Sequence, residues 1–171
     1  ICTTEAHFDL EYYGGPGIKV MPYPCDGGAN FEIESFVKDA DENFTVLYSI
    51  LDADGKEVAS ACRPADSTKV SIFVPDTTNW DIDNPYLYTV TAKLQRRNET
   101  FDEVTVKTGV RSFSCDPNKG FIINGVETPL RGVSRHQDML YKGNALTRED
   151  HYEDARIIKD LGANTIRLAH Y

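Results

Sequence analysis

The chain has 171 residues, 27 acidic and 18 basic, for a net charge of −9. That balance argues against nucleic acid as the main partner, because a phosphate backbone selects a basic face, and no apolar run reaches the ~18 residues of a membrane span. An apolar content of 40% and an aromatic content of 11% describe a core-forming protein, one compact domain or a domain plus part of another, suited to a neutral ligand.

The N-terminus carries no methionine and no basic or apolar region of a signal segment. The C-terminus ends on an apolar-aromatic run. Both ends are expected to be cuts inside a longer protein. From Ile18 onward the pattern is strands separated by turns. Ile18 to Met21 is short and apolar, and Asn30 to Lys38 alternates through Phe31, Ile33, Ser35 and Val37. Thr45 to Leu51 is rich in β-branched and aromatic residues. Asp54-Gly55 marks a hairpin turn before a short strand, Glu57 to Ala61. Lys69 to Val74, Leu87 to Leu94 and Thr100 to Val110 complete the set. About seven short strands at this spacing predict an immunoglobulin-like β-sandwich. Ahead of Leu87 lies Asn79 to Tyr86, with Trp80 and Pro85. An exposed tryptophan there would suit a sugar face, but a corner that packs the sandwich is the preferred reading.

After Arg111 the character changes. Gly120 to Pro129 predicts a hairpin around Asn124-Gly125. Leu130 to Ser134 predicts a small strand, and Arg135 to Leu146 a polar loop. Thr147-Arg148-Glu149-Asp150 has the form of a capping box. In the helix that follows, Tyr152, Ala155, Ile158 and Leu161 fall on one face, and Gly162 suits the C′ position. Asn164 to Leu168 predicts another strand. Strand, loop, helix, strand is one βαβ unit with parallel pairing.

The chemistry-bearing candidates are His136, after the first strand of that unit, and Arg167 and His170, at the end of the second. Parallel strands aim their C-terminal ends the same way, so all three side chains are able to converge on one face. In (β/α)₈ barrels that face carries the active site. Ordinary structural roles compete with this reading: single histidines at strand ends are more often structural, and Arg131, Arg135 and Arg167 have many carboxylates nearby. A metal site from His136, Asp138 and His170 is disfavoured, because no helical or hairpin spacing holds those ligands. No metal ligand is assigned. The four cysteines, Cys2, Cys25, Cys62 and Cys115, are in no C-x-x-C pair and fit separate thiols in a reducing, cytoplasmic location. The triplets at Asn43 and Asn98 carry little weight as glycosylation sites.

Five local sequences together resemble one family. Arg131-Gly132-Val133-Ser134-Arg135-His136-Gln137-Asp138 is similar to the R-G-V-[NS]-R-H segment of glycoside hydrolase family 2. Asn164 to Tyr171 is similar to that family's N-x-x-R-x-x-H-Y opening. Trp80 to Tyr88 resembles its W-x-x-x-x-P-x-L-Y motif. Gly109-Val110-Arg111 matches its G-[FV]-R segment, and Phe121 to Gly125 its F-x-[LI]-N-G hairpin. The motifs run in the family's order from about Asn79 to the end. The wording of the R-H-Q-D and R-L-A-H-Y stretches is most similar to bacterial β-galactosidases, with β-glucuronidase and β-mannosidase as alternatives on the same scaffold. A non-enzymatic immunoglobulin-like binding module accounts for the sandwich but not for the βαβ unit.

The resemblance implies residues 1–17 as the tail of a preceding sugar-binding-like domain, 18–112 as the immunoglobulin-like sandwich, and 113–171 as the truncated start of a catalytic (β/α)₈ barrel. It implies a retaining, exo-acting hydrolase of terminal β-D-galactosides. The nucleophile and acid/base glutamates would come from later barrel strands, beyond Tyr171, so this chain by itself is expected to be inactive. His136 and His170 would hydrogen-bond sugar hydroxyls, and Arg167 would hold the nucleophilic carboxylate. Gln137 departs from the family's usual glutamate, so no role resting on that carboxylate carries over. No cofactor is expected in this chain; Mg or Na in the longer protein would have ligands mostly elsewhere. A small saccharide is the expected ligand, with neither nucleic acid nor membrane as partner. The truncated barrel segment is expected to expose apolar faces and either to pack on a second copy of the chain or to be poorly ordered.

Overall fold

The computed structural model describes residues 6–10 and 15–169. The chain divides into two compact units, Ile1–Phe113 and Ser114–Tyr171. Each is described by itself.

The first unit is an immunoglobulin-like sandwich. One sheet has the order β2 (Ile18–Cys25), β3 (Gly28–Ser35), β7 (Lys69–Pro75). The other runs β6 (Glu57–Pro64), β5 (Thr45–Leu51), β8 (Tyr88–Arg96), β9 (Glu99–Thr108). Every pairing within them is antiparallel. Alternation of apolar and polar residues turns one side of each strand inward. Phe31 and Ile33 of β3, Val70, Ile72 and Val74 of β7, Val46, Tyr48 and Ile50 of β5, and Val90, Ala92 and Leu94 of β8 form the core. The two sheets are tied by contacts between their inner faces. Phe31 meets Tyr88 edge-on at 5.5 Å between ring centroids. The Tyr48 and Ser35 hydroxyls lie 2.7 Å apart in a buried hydrogen bond, and burial pushes the Tyr48 phenol pKa up.

Several strands depart from the predicted bounds. β2 continues to Cys25 through Pro22 and Pro24. It is an edge strand, where a missing backbone N–H need not break the ladder. The predicted strand from Asn30 to Lys38 splits at Phe36. The Phe36 N–H donates to the Gly17 carbonyl at 2.9 Å, and its carbonyl accepts from Asp9 N–H at 2.7 Å. The next residues, β4 (Val37–Lys38), therefore pair with β1 (His7–Phe8) rather than extending β3. Ala6 and Phe8 are buried in the sandwich core, and Phe8 N–H donates to Asp102 Oδ2 at 2.8 Å. The segment ahead of Ile18 thus contributes a strand and core residues to this unit.

Trp80 sits at a corner. Its N–H donates to the Val110 carbonyl at 2.8 Å, and the Arg111 guanidinium lies 4.9 Å from its ring centroid. Gly109 leaves room for the indole: a Cβ there would come within 2.6 Å of Trp80. The Tyr88 hydroxyl accepts from Thr78 N–H at 2.9 Å and closes the same corner. Trp80 is half-buried, as a packing residue would be.

The second unit begins with a three-stranded sheet, β10 (Phe113–Asp116), β11 (Gly120–Ile123), β12 (Val126–Glu127). Asn124 and Gly125 turn the hairpin with φ of 49° and 80°, the left-handed pair of a type I′ turn. Then come β13 (Gly132–Ser134), helix α1 (Arg148–Asp160) and β14 (Thr165–Arg167), with β13 and β14 parallel. This is one βαβ step. Thr147 caps α1 in a two-way capping box with Asp150, and Gly162 follows the helix at φ 82°. The apolar face of α1 is exposed, as expected of a truncated barrel segment. Only Ile158 is partly covered, while Tyr152 and Leu161 are 63% and 76% exposed. Two three-residue strands offer too little surface to cover a helix of this length.

Candidate active-site segment

The site is built on the β13–β14 pair. Their register sets Gly132 against Thr165, Val133 against Ile166 and Ser134 against Arg167. Gly132 is required by a close approach: a Cβ at that position would lie 2.1 Å from the Thr165 carbonyl oxygen. Asn164 clamps the strand entries. Its N–H donates to Arg131 O at 2.8 Å, its Oδ1 accepts from Arg131 N–H at 2.8 Å, and its Nδ2 donates to Pro129 O at 2.9 Å. Past the pairing, Arg135 N–H donates to Arg167 O at 2.9 Å. The chain following β13 therefore leaves beside Arg167, with His136 the next residue.

His136 and Arg167 are both exposed and lie at the carboxyl ends of adjacent parallel strands. His170, the third predicted site residue, lies outside the described residues. So does any placement of the disfavoured set His136, Asp138 and His170. Among the described residues no three His, Cys, Asp or Glu side chains are grouped to hold a metal ion, and no helix is long and apolar enough to cross a membrane. Cys25, Cys62 and Cys115 are exposed free thiols.

Two polar anchors hold the loop after His136, and sequence reading did not assign them. Arg135 Nε donates to Asp154 Oδ2 at 2.7 Å, fixing the loop's first residue to the helix. Lys142 Nζ donates to both Asp150 oxygens, at 2.6 and 2.8 Å. Lys142, with the Thr147 N–H, holds the Asp150 carboxyl down to about 2. Asp150 was visible as a capping-box residue. Its second role needs Lys142 folded back over an eight-residue separation, which no local pattern announces.

The chain matches the family described as Glycosyl hydrolases family 2 over residues 19–111 and that family's TIM barrel domain over residues 117–171. It belongs to glycoside hydrolase family 2. The family 2 chain is 39% identical to a β-galactosidase of Bacteroides ovatus over 139 residues, 77% of this chain and 16% of that protein. It is 44% identical to a β-glucuronidase of Bacteroides fragilis over 89 residues, 52% of this chain and 13% of that protein. Its fold superposes with a TM-score of 0.94 on the crystal structure of an FMN-binding β-glucuronidase from Facaelibacterium prausnitzii L2-6, at 67% identity, covering 98% of this chain and 26% of that one. The immunoglobulin-like sandwich thus carries the match over 19–111, and the βαβ unit lies within the match to the family's TIM barrel domain.

Proposed function

We propose that this segment forms one wall of the active site of a retaining, exo-acting family 2 β-glycosidase. The observation that carries the reading is the parallel register that sets Arg167 opposite Ser134 and sends His136 out beside it. Carboxyl ends of barrel strands are where such enzymes hold their substrates. In the proposed reaction a glutamate carboxylate from a later barrel strand attacks the anomeric carbon as the glycosidic C–O bond breaks. A second glutamate protonates the departing oxygen, then takes a proton from the water that cleaves the glycosyl-enzyme ester. His136 and His170 hydrogen-bond sugar hydroxyls. Imidazole suits this, since one ring nitrogen donates while the other accepts. The Arg167 guanidinium orients the nucleophilic carboxylate and lowers its pKa, so that it stays ionised. Any Mg or Na used by the longer protein would have its ligands mostly outside this chain.

The favoured substrate is a terminal β-glucuronide, supported by 67% identity to a β-glucuronidase across nearly the whole chain. A terminal β-D-galactoside is the second reading, supported by the 39% identical β-galactosidase and by the wording of the two histidine motifs. The longer enzyme is to be assayed on nitrophenyl β-glucuronide and nitrophenyl β-galactoside. The glucuronide kcat/KM is expected to be at least tenfold the larger. The reverse order selects the galactoside, and turnover of neither of these nor of nitrophenyl β-mannoside sinks the glycosidase reading. Arg167→Gln should lower kcat/KM and move the acid limb of its pH profile upward, because the nucleophile loses its cationic partner. The 171-residue chain alone should hydrolyse neither substrate.

A further inference from the structure

The partly covered residues of helix α1 are Asp150, Asp154 and Ile158, at i, i+4 and i+8. They form one stripe along the helix, and two of the three are carboxylates. Each carboxylate takes a basic side chain from the loop between β13 and the helix. Lys142 Nζ donates to both Asp150 oxygens at 2.6 and 2.8 Å, and Arg135 Nε donates to Asp154 Oδ2 at 2.7 Å. The second pair is the better shielded. The Arg135 and Asp154 side chains are 11% and 24% exposed, against 47% for Lys142. Burial found within this unit can only increase when more chain surrounds it. A shielded ion pair adds little net stability over an apolar contact of similar volume, but it is costly to break and fixes one geometry.

We propose, resting on the glycosidase reading above, that Asp154 and Arg135 are positioning residues that hold His136 beside Arg167 for its contact with the sugar. Arg135 is attached at two points. Its backbone N–H donates to Arg167 O at 2.9 Å, and its guanidinium is held by Asp154 of α1. His136 is the next residue, joined through a planar peptide unit. Fixing Arg135 against both β14 and α1 therefore fixes where the His136 side chain starts relative to Arg167. Without the Asp154 carboxylate the guanidinium loses its anchor while its charge stays shielded from water, and the chain leaving β13 shifts to relieve this. A misplacement of about 1 Å in a substrate-holding group costs about two orders of magnitude in rate. His136 touches the sugar; Arg135 and Asp154 act through it.

The test is a double-mutant cycle in the longer, active enzyme, read as kcat/KM on the nitrophenyl β-glycoside it cleaves. Asp154→Ala should lower kcat/KM about 10- to 100-fold in the wild-type background. In the His136→Ala background it should cost less than about twofold, because a side chain that is gone cannot be misplaced. Asp154→Asn keeps the shape and a neutral acceptor, so its loss should be smaller, about three- to tenfold, and should vanish in the same background. It carries the cycle if Asp154→Ala does not fold. An Asp154 substitution that costs as much with His136 absent as with it present overturns the proposal and leaves the ion pair a structural tie. Unchanged kcat/KM in Asp154→Ala overturns it equally. If His136→Ala itself keeps wild-type kcat/KM, or the wild-type enzyme cleaves no nitrophenyl β-glycoside, it is instead the underlying reading of the site that fails.

Discussion

Gly132→Ala tests the physical basis of the candidate site. The added methyl would sit 2.1 Å from the Thr165 carbonyl oxygen, 2.7 Å from its carbonyl carbon and 2.9 Å from its Cβ. Two of those atoms are backbone, so no rotamer change relieves the clash. Restoring even a tight 3.0–3.4 Å contact with the oxygen needs β13 and β14 to part by about 1 Å. The two backbone hydrogen bonds that flank the pair, Asn164 N–H to Arg131 O at 2.8 Å and Arg135 N–H to Arg167 O at 2.9 Å, would then stretch beyond hydrogen-bonding range. At about 1 kcal/mol each, with a similar sum for lost packing, the local destabilisation is about 2–4 kcal/mol. Native-state hydrogen exchange on this chain reads it directly. The Asn164 and Arg135 amides should exchange about 30- to 1,000-fold faster, while amides of β5 and β8 in the other unit keep wild-type protection. In the longer enzyme, a 1 Å displacement of His136 from Arg167 should lower kcat/KM by about two orders of magnitude. Unchanged exchange at Asn164 and Arg135 would refute the argument that this register depends on the absent side chain.

Three further outcomes follow from other parts of the structure. Tyr48→Phe strands the Ser35 hydroxyl, whose residue is only 2% exposed; it should destabilise the sandwich by about 1–2 kcal/mol in urea unfolding, with much of the loss recovered in the double variant Tyr48→Phe/Ser35→Ala. The Asp150 carboxyl is lowered from 3.8 to about 2 in the folded chain by Lys142 and the Thr147 N–H. Its stabilising effect on the α1 cap is therefore complete above about pH 4 and lost as pH falls through 2. Exchange of the first-turn amides of α1 should accelerate across that window, and Asp150→Asn should remove the dependence. Leu130, Val133, Tyr152, Ile157, Leu161 and Leu168 are exposed in the second unit, so the isolated chain should self-associate in sedimentation velocity; a monomer at 100 μM would contradict this.

Much of the sandwich was legible because its signal is local. In Thr45 to Leu51 every second side chain is apolar and buried, and predicted and observed bounds coincide. The Asn124-Gly125 turn and the Thr147 capping box were equally plain, since each depends on a few adjacent residues and their intrinsic backbone preferences. Strand ends were less legible. β2 runs through two prolines only because it occupies an edge, and β3 stops at Ser35 only because Phe36 meets Gly17 and Asp9. Those are facts of partnership, which periodicity does not encode.

The site divides in the same way. His136 and Arg167 were identifiable from their neighbours in the chain, and the βαβ pattern already required their strands to run parallel. What the tertiary structure decided was the register between the strands, the close contact that excludes a side chain at Gly132, and the Asn164 clamp that joins both strand entries. It also decided how little of the helix's apolar face the two short strands cover. Local composition determines which element a segment prefers. Which partner it meets, and at what offset, depends on contacts between residues far apart in the chain, whose energies appear only once the surfaces have been brought together.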